Sequence, residues 1–303
     1  MTLERITSFQ NPKLKRLLAL QEKSSLRRET GLFVVEGLRE VQRCIASGFT
    51  VDTLFLCPEL VPAGDSSLTA LPLQEFALRA HPTIPTGRSP RYRTAGVTSF
   101  RGSTFQTGVV PGGKVIELSR AVYEKVAYRG GTEGVIAEVK ARNLALEDLR
   151  LPENPLVVVM ESVEKPGNLG AVLRSADAAG ADAVLVCAPL TDLYNPNLIR
   201  ASLGAVFHCP VVCCTTQDAI AFLKARGIRI LTAQLQDSAP YYGTDMKGGT
   251  ALVMGSEAQG LGNAWRAAAD AHVLIPMRGI VDSLNVSVSA AILLFEAVRQ
   301  RCE

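Results

Sequence analysis

Histidine is scarce, with three among 303 residues, and the seven cysteines (Cys44, Cys57, Cys187, Cys209, Cys213, Cys214, Cys302) are odd in number and form no CxxC pair. Neither a zinc site nor a disulfide framework is expected from such a set, and a reducing compartment, the cytoplasm, is. No apolar run approaches the roughly 18 residues that a membrane-spanning helix needs. The start, Met1 to Ile6, has no apolar stretch behind a basic one, so neither membrane insertion nor export is expected. No GxGxxG follows any strand-like run, which removes the usual dinucleotide fingerprint, and no P-loop is present.

What remains is an ordinary globular composition, 47% hydrophobic and 20% charged, of a length that suggests two domains. The net charge of +3 conceals an uneven split. Residues 1–150 hold 21 Lys and Arg against 15 Asp and Glu, a balance of +6, whereas residues 151–303 hold 11 against 14, or −3. A polyanion is the expected partner of the first half. Residues 1–28 are its most basic part, with seven cations against Glu4 and Glu22. Leucines at 14, 17, 18 and 20 make 11–22 an amphipathic helix. A charge run of this kind also suits a plain solvated helix face, so charge alone decides nothing.

Periodicity predicts strands at 32–35 and 51–57 around a helix at 37–47, a small α/β module. A helix at 118–128 and a strand at 134–139 follow. Between them, 61–113 is rich in proline and glycine and has no readable period. An acidic, proline-punctuated linker is expected over 143–155. Beyond it, short apolar runs at 156–160, 183–187, 228–232, 251–254 and 273–275 alternate with helices at 169–179, 218–226 and 286–300. Continuous apolar strands alternating with helices describe a mostly parallel sheet covered on both faces.

Three turns in this second half carry polar side chains where a parallel sheet holds its ligands, at the carboxyl ends of strands. The first runs from Glu161 through Pro166, Gly167, Asn168 and Gly170 to Arg174. Taken alone it is a helix capped by Asn168, with a surface arginine and a glycine that admits a neighbouring backbone. The second, Gly255-Ser-Glu257-Ala-Gln-Gly260-Leu261, is a tight strand-to-helix turn. The third, Ile275-Pro-Met277-Arg-Gly279, continues to Ser283-Leu284-Asn285-Val-Ser287. A cap explains one of those last polar residues but not all three.

Together, in this order and spacing, the turns resemble the three signature motifs of the SpoU branch of the SPOUT methyltransferases. The segment from Tyr194 to Gly204 resembles the stretch that follows the second strand in those enzymes. Residues 1–58 more loosely resemble the substrate-binding module that often precedes the catalytic domain. One departure is Lys165, where the first motif commonly carries an acidic residue. The resemblance implies an RNA-binding domain over 1–142, the linker, and over 156–303 a methyltransferase domain threaded into a trefoil knot, an exception to the rule against knots. It implies S-adenosylmethionine as cofactor, near Gln234, Leu235, Gly255, Ile275, Met277, Gly279 and Leu284, with Gly255 and Gly279 admitting it against the main chain. It implies methylation of a ribose 2′-hydroxyl, ribosomal RNA being favoured, with a homodimer as the working form. Arg174 takes the central catalytic role, Asn168, Ser283 and Asn285 orient it or the ribose, and Glu257 orients Arg174 or Asn168. A guanidinium stays protonated in proteins, so an electrostatic clamp on the hydroxyl is the easier role for Arg174. Phosphate contacts are expected from Lys13, Lys15, Arg16, Arg27, Arg28 and Arg39. The rivals are a transfer-RNA ribose methyltransferase, a base-methylating relative and a non-catalytic RNA- or ribosome-binding protein on the same fold.

Overall fold

The structure is a computed structural model, and it describes residues 4–61, 113–128, 133–256 and 259–302. The uncharted stretch 61–113 thus falls, but for its two end residues, outside the described residues, as does Glu257. The chain divides into two compact units, one within Met1–Leu18 and Val35–Lys140, the other within Ala19–Val34 and Ala141–Glu303. Among the described residues no helix is long and apolar enough to cross a membrane.

One sheet has five strands, β1 (Glu4–Ile6), β2 (Leu32–Glu36), β3 (Val51–Leu56), β4 (Lys114–Leu118) and β5 (Val135–Lys140). Their order is β1-β4-β3-β5-β2, with β1, β4 and β3 parallel and β5 antiparallel to β3. Phe55, Ile116, Leu118, Ile136 and Val139 are buried in its core. The amphipathic helix forms at Pro12–Glu22, where proline at the first position costs no hydrogen bond, and its leucines 14, 17 and 20 are fully buried. The helix expected from Leu118 is shorter, Arg120–Val126, because 114–118 pairs as β4 instead.

The second unit holds a seven-stranded sheet in which every pairing is parallel. Its strands are β6 (Leu156–Glu161), β7 (Ala183–Cys187), β8 (Val211–Cys214), β9 (Arg229–Ala233), β10 (Ala239–Pro240), β11 (Thr250–Met254) and β12 (Ala271–Leu274). The order is β10-β12-β9-β11-β6-β7-β8. The central β6, β7 and β11 are buried almost throughout, as continuous apolar runs demand. The outer β8 and β10 are short and partly exposed. The chain progresses outward from β6 to β8, then crosses back to build β9, β11 and β12 on the other side. That reversal makes the carboxyl edge around β6 and β11 a switch point, where open α/β sheets bind ligands.

The stretch 143–155, expected as a linker, is part of this unit. Leu146 and Leu149 belong to its buried core with Val157, Leu185, Val253 and Trp265, and Leu144 bridges to Val212. The segment Ala19–Val34 also groups here. Phe33 stacks on the Tyr194 ring with centroids 4.1 Å apart, and the Arg27 guanidinium bonds the Asp192 carboxylate and the carbonyls of Leu20 and Gln21.

Candidate active site

Four neighbouring strands end on one row. Val273, Ala233, Met254 and Met160 are register partners across β12, β9, β11 and β6. One residue further stand Gln234, Gly255 and Glu161, the last residue of β6, with Ile275 just past the end of β12. A fully parallel sheet gives all of these residues the same edge.

The first turn begins under strain. Ser162 has φ +49°, a left-handed conformation that a side chain disfavours, and its N–H donates to the Cys187 carbonyl at 2.9 Å. The helix that follows starts at Pro166, earlier than its apolar period suggests, and runs to Ala179. Lys165 is its N-cap and offers no side-chain bond, so Asn168 is not the cap that the sequence suggested. Its amide is thereby left to other work. Asn285 Nδ2 donates to Asn168 Oδ1 at 3.2 Å, joining the third turn to the first across 117 residues. Gly170 acts as expected. A Cβ there would lie 2.6 Å from the Leu198 carbonyl oxygen and 2.7 Å from Ala201 Cβ, so its absence lets the Pro196–Ala201 helix lie against this one. Arg174 projects from the same helix into solvent, with no hydrogen bond or ion pair to the described residues.

The second turn closes on itself. Ser256 and Gly260 exchange backbone hydrogen bonds of 3.2 and 3.0 Å, and Gly260 is left-handed at φ +65°. A Cβ on Gly255 would meet the Gly260 carbonyl carbon at 2.3 Å. The missing side chain of Gly255 therefore lets the turn close on itself. Gly279 has only open space around it. Beyond the turn, Asn263–Ala268 is helical and carries Trp265, the only tryptophan, fully buried.

The third turn leads into the final helix, Val286–Cys302, which packs against the Pro166–Ala179 helix. Asn285 caps it, its Oδ1 accepting from the Ser287 N–H at 2.9 Å and the Ser287 hydroxyl at 2.6 Å. Its other amide atom reaches Asn168, so one side chain does both the structural and the site-forming work. Ser283 is exposed and donates to Asp282 at 3.2 Å. Ile275 and Met277 are half-buried, and Leu284 and Leu235 are 38% and 60% exposed.

Two features make this edge suited to a ligand held by main-chain groups. From Pro276 to Leu284 no backbone hydrogen bond is made to another backbone group among the described residues. Gln234 Oε1 is buried without a partner among them, although Gln234 Nε2 donates to the Gln236 carbonyl at 2.9 Å. Buried or confined polar groups of this kind are completed by a ligand or by water.

Sequence reasoning missed one cluster. Glu161 accepts from the Thr216 hydroxyl at 3.0 Å on both carboxylate oxygens and from Trp265 Nε1 at 2.8 Å on Oε2. An acidic residue closing an otherwise apolar strand run was the available signal. Beside it, hydrogen bonding to Cys214, whose sulfur lies 3.9 Å away, and then burial push the Cys187 thiol up, so it stays protonated. Burial pushes the Cys209 thiol up to about 12, leaving it a poor nucleophile at neutral pH.

The six expected phosphate contacts fare differently. Lys15 and Arg28 are exposed and have no partner among the described residues. Lys13 pairs with Glu4, Arg16 with Glu138, and Arg39 with Glu40 at 2.7 Å. Arg27 is 4% exposed, its guanidinium consumed by Asp192 and two carbonyls, which leaves no face for a phosphate.

The model of the SpoU rRNA Methylase family matches residues 155–295, and that of the MRM3-like substrate binding domain matches 11–80. A 23S rRNA (guanosine-2′-O-)-methyltransferase RlmB of Ralstonia nicotianae is 39% identical over 174 residues, 56% of this chain and 70% of its own length. A crystal structure of an RNA 2′-O ribose methyltransferase is 33% identical with a TM-score of 0.76, over 99% of this chain and all of that one. An AdoMet-bound rRNA methyltransferase from Sinorhizobium meliloti is 28% identical with a TM-score of 0.78, over 98% of each chain. The fold is that of these enzymes, and the chain belongs to the SpoU rRNA methylase family.

Proposed function

We propose that this protein transfers a methyl group from S-adenosylmethionine to a ribose 2′-hydroxyl of ribosomal RNA. The observation that carries the reading is the Asn168–Asn285 bond, which ties two motif turns together beside a stretch of unpaired main chain at the switch point. Bound there, S-adenosylmethionine supplies a methyl group activated by a positively charged sulfur. Gln234, Leu235, Gly255, Ile275, Met277, Gly279 and Leu284 would hold it, mostly through backbone groups and apolar contact.

The other residues work on the ribose. Asn285 keeps one amide hydrogen beyond its bond to Asn168 and can help to fix the orientation of a sugar hydroxyl beside that residue. Arg174, charged and free of described partners, is available to a phosphate and to negative charge developing on the ribose oxygen. Ser283 adds a short-range donor, and Glu257 is assigned the orientation of Arg174 or Asn168. Holding hydroxyl and methyl in near-attack geometry can contribute roughly 7–11 kcal/mol of the barrier reduction. In this reading residues 1–142 present the RNA, with Lys15 and Arg28 as phosphate contacts, and 156–303 carry the chemistry. In the same reading 156–303 is threaded into a trefoil knot.

The working form is a homodimer in the cytoplasm. Val288 and Phe295, seven residues apart and therefore on one face of the final helix, are 46% and 49% exposed, an apolar face that suits a second copy. Ribosomal subunits and transfer RNA incubated with tritiated cofactor, then digested with nuclease, test the reading. The expected product is a 2′-O-methylnucleoside from ribosomal RNA. Arg174→Ala should cut transfer by roughly 100-fold or more while cofactor affinity changes less than about threefold. Label on a base, label in transfer RNA only, or a fully active Arg174→Ala would refute it.

A further inference from the structure

Among the described residues two side-chain ties hold the segments carrying the motifs together, and only one involves residues already assigned to the reaction. Asn285–Asn168 joins the third turn to the first. The other is Glu161–Trp265, the only side-chain hydrogen bond among the described residues between the β6 turn and the segment that carries the second motif. We propose that Glu161 is a positioning residue of the methyl transfer, fixing the cofactor-side turn at 255–262 against the turn that leads to Asn168 and Arg174. The inference rests on the reaction proposed above.

Glu161 is the last residue of β6, immediately before the strained Ser162. A left-handed serine persists only where its surroundings hold it, and the structure holds it on both sides. On one side the Ser162 N–H is bonded to the Cys187 carbonyl at 2.9 Å, and on the other the Glu161 carboxylate is fixed by Trp265 Nε1 at 2.8 Å and Thr216 Oγ1 at 3.0 Å. Trp265 has no freedom to follow a displaced carboxylate, since its ring is fully buried in the core with Val157, Leu185 and Val253. It lies four residues beyond the buried Leu261 that ends the second turn. A shift of Glu161 therefore moves the first turn relative to the second.

The test compares the wild type with Glu161→Met, which keeps the length and removes both acceptors, with Glu161→Gln, which restores an acceptor oxygen, and with Thr216→Val, which leaves the tryptophan tie intact. Each is assayed for kcat, for KM of S-adenosylmethionine and of RNA, and for emission of the single tryptophan. The expected result for Glu161→Met is a rise of about tenfold in the cofactor KM with a fall in kcat, an RNA KM within twofold, and a shifted emission. Glu161→Gln should recover most of both effects, and Thr216→Val should lie near the wild type. Cofactor KM and kcat within twofold in Glu161→Met overturn the proposal, as does a parallel loss of every parameter that Glu161→Gln does not restore. A wild type that transfers no methyl to RNA would instead overturn the reaction assigned to the family site.

Discussion

Arg27 and Arg28 are adjacent, carry the same charge and look alike in the sequence, yet one is buried against Asp192 and the other is exposed. Removing a buried partner strands the other charge, here Asp192 together with two carbonyls, at a cost of about 3–5 kcal/mol. Arg27→Ala should therefore lower the melting temperature by on the order of 10 °C in a calorimetric scan. Lys15→Ala should leave melting unchanged within about 2 °C. It should instead weaken RNA binding and flatten its salt dependence by about one unit of log–log slope. The contrast shows what sequence can reveal at this scale. Composition identified a basic segment correctly, but which cations reach solvent depends on partners such as Asp192 and Glu138, 165 and 122 residues away. The Glu161–Trp265 tie, spanning 104 residues, was hidden for the same reason. Asn168 does not cap its helix as its position suggests, because Lys165 takes the N-cap place and Pro166 opens the helix without a side-chain bond.

Elements were legible in proportion to their length and burial. The apolar runs that became β6, β7, β9 and β11 could be found because strands covered on both faces tolerate few polar residues. The helices Pro196–Ala201 and Ala205–His208 were missed, being too short, at six and four residues, to display a period. Their packing nevertheless shapes the site, since the first of them lies on Gly170. Gly170→Ala must push the two helices apart, and overpacking of this kind costs about 1–3 kcal/mol. The displaced helix also carries Asn168 and Arg174, so turnover should fall further than stability does. Gly167→Ala, with nothing within 4 Å of the added carbon, should be silent in both. Melting curves and single-turnover rates for the pair check this, and equal losses in the two variants would contradict it.

For the whole molecule, a mostly parallel sheet in the second half and a separate α/β module before it could be read from the sequence. It did not convey that 143–155 and Ala19–Val34 pack with the catalytic unit, because isolated leucines in a polar stretch give no pattern to read. The exposed apolar face of the final helix sets a prediction at this scale. Phe295→Asp should convert a two-copy species in sedimentation into a single copy, and a wild type already sedimenting as one copy would exclude the dimer. The strand order carries one more implication. β11 occupies the gap between β6 and β9, and Asn285 comes more than a hundred residues after the asparagine it touches. Ribosomes synthesise from the amino end, so a nascent chain carries the first turn long before the residue that ties it to the third. Any product terminated before Asn285 would lack that tie and, on the reading proposed above, should not methylate RNA.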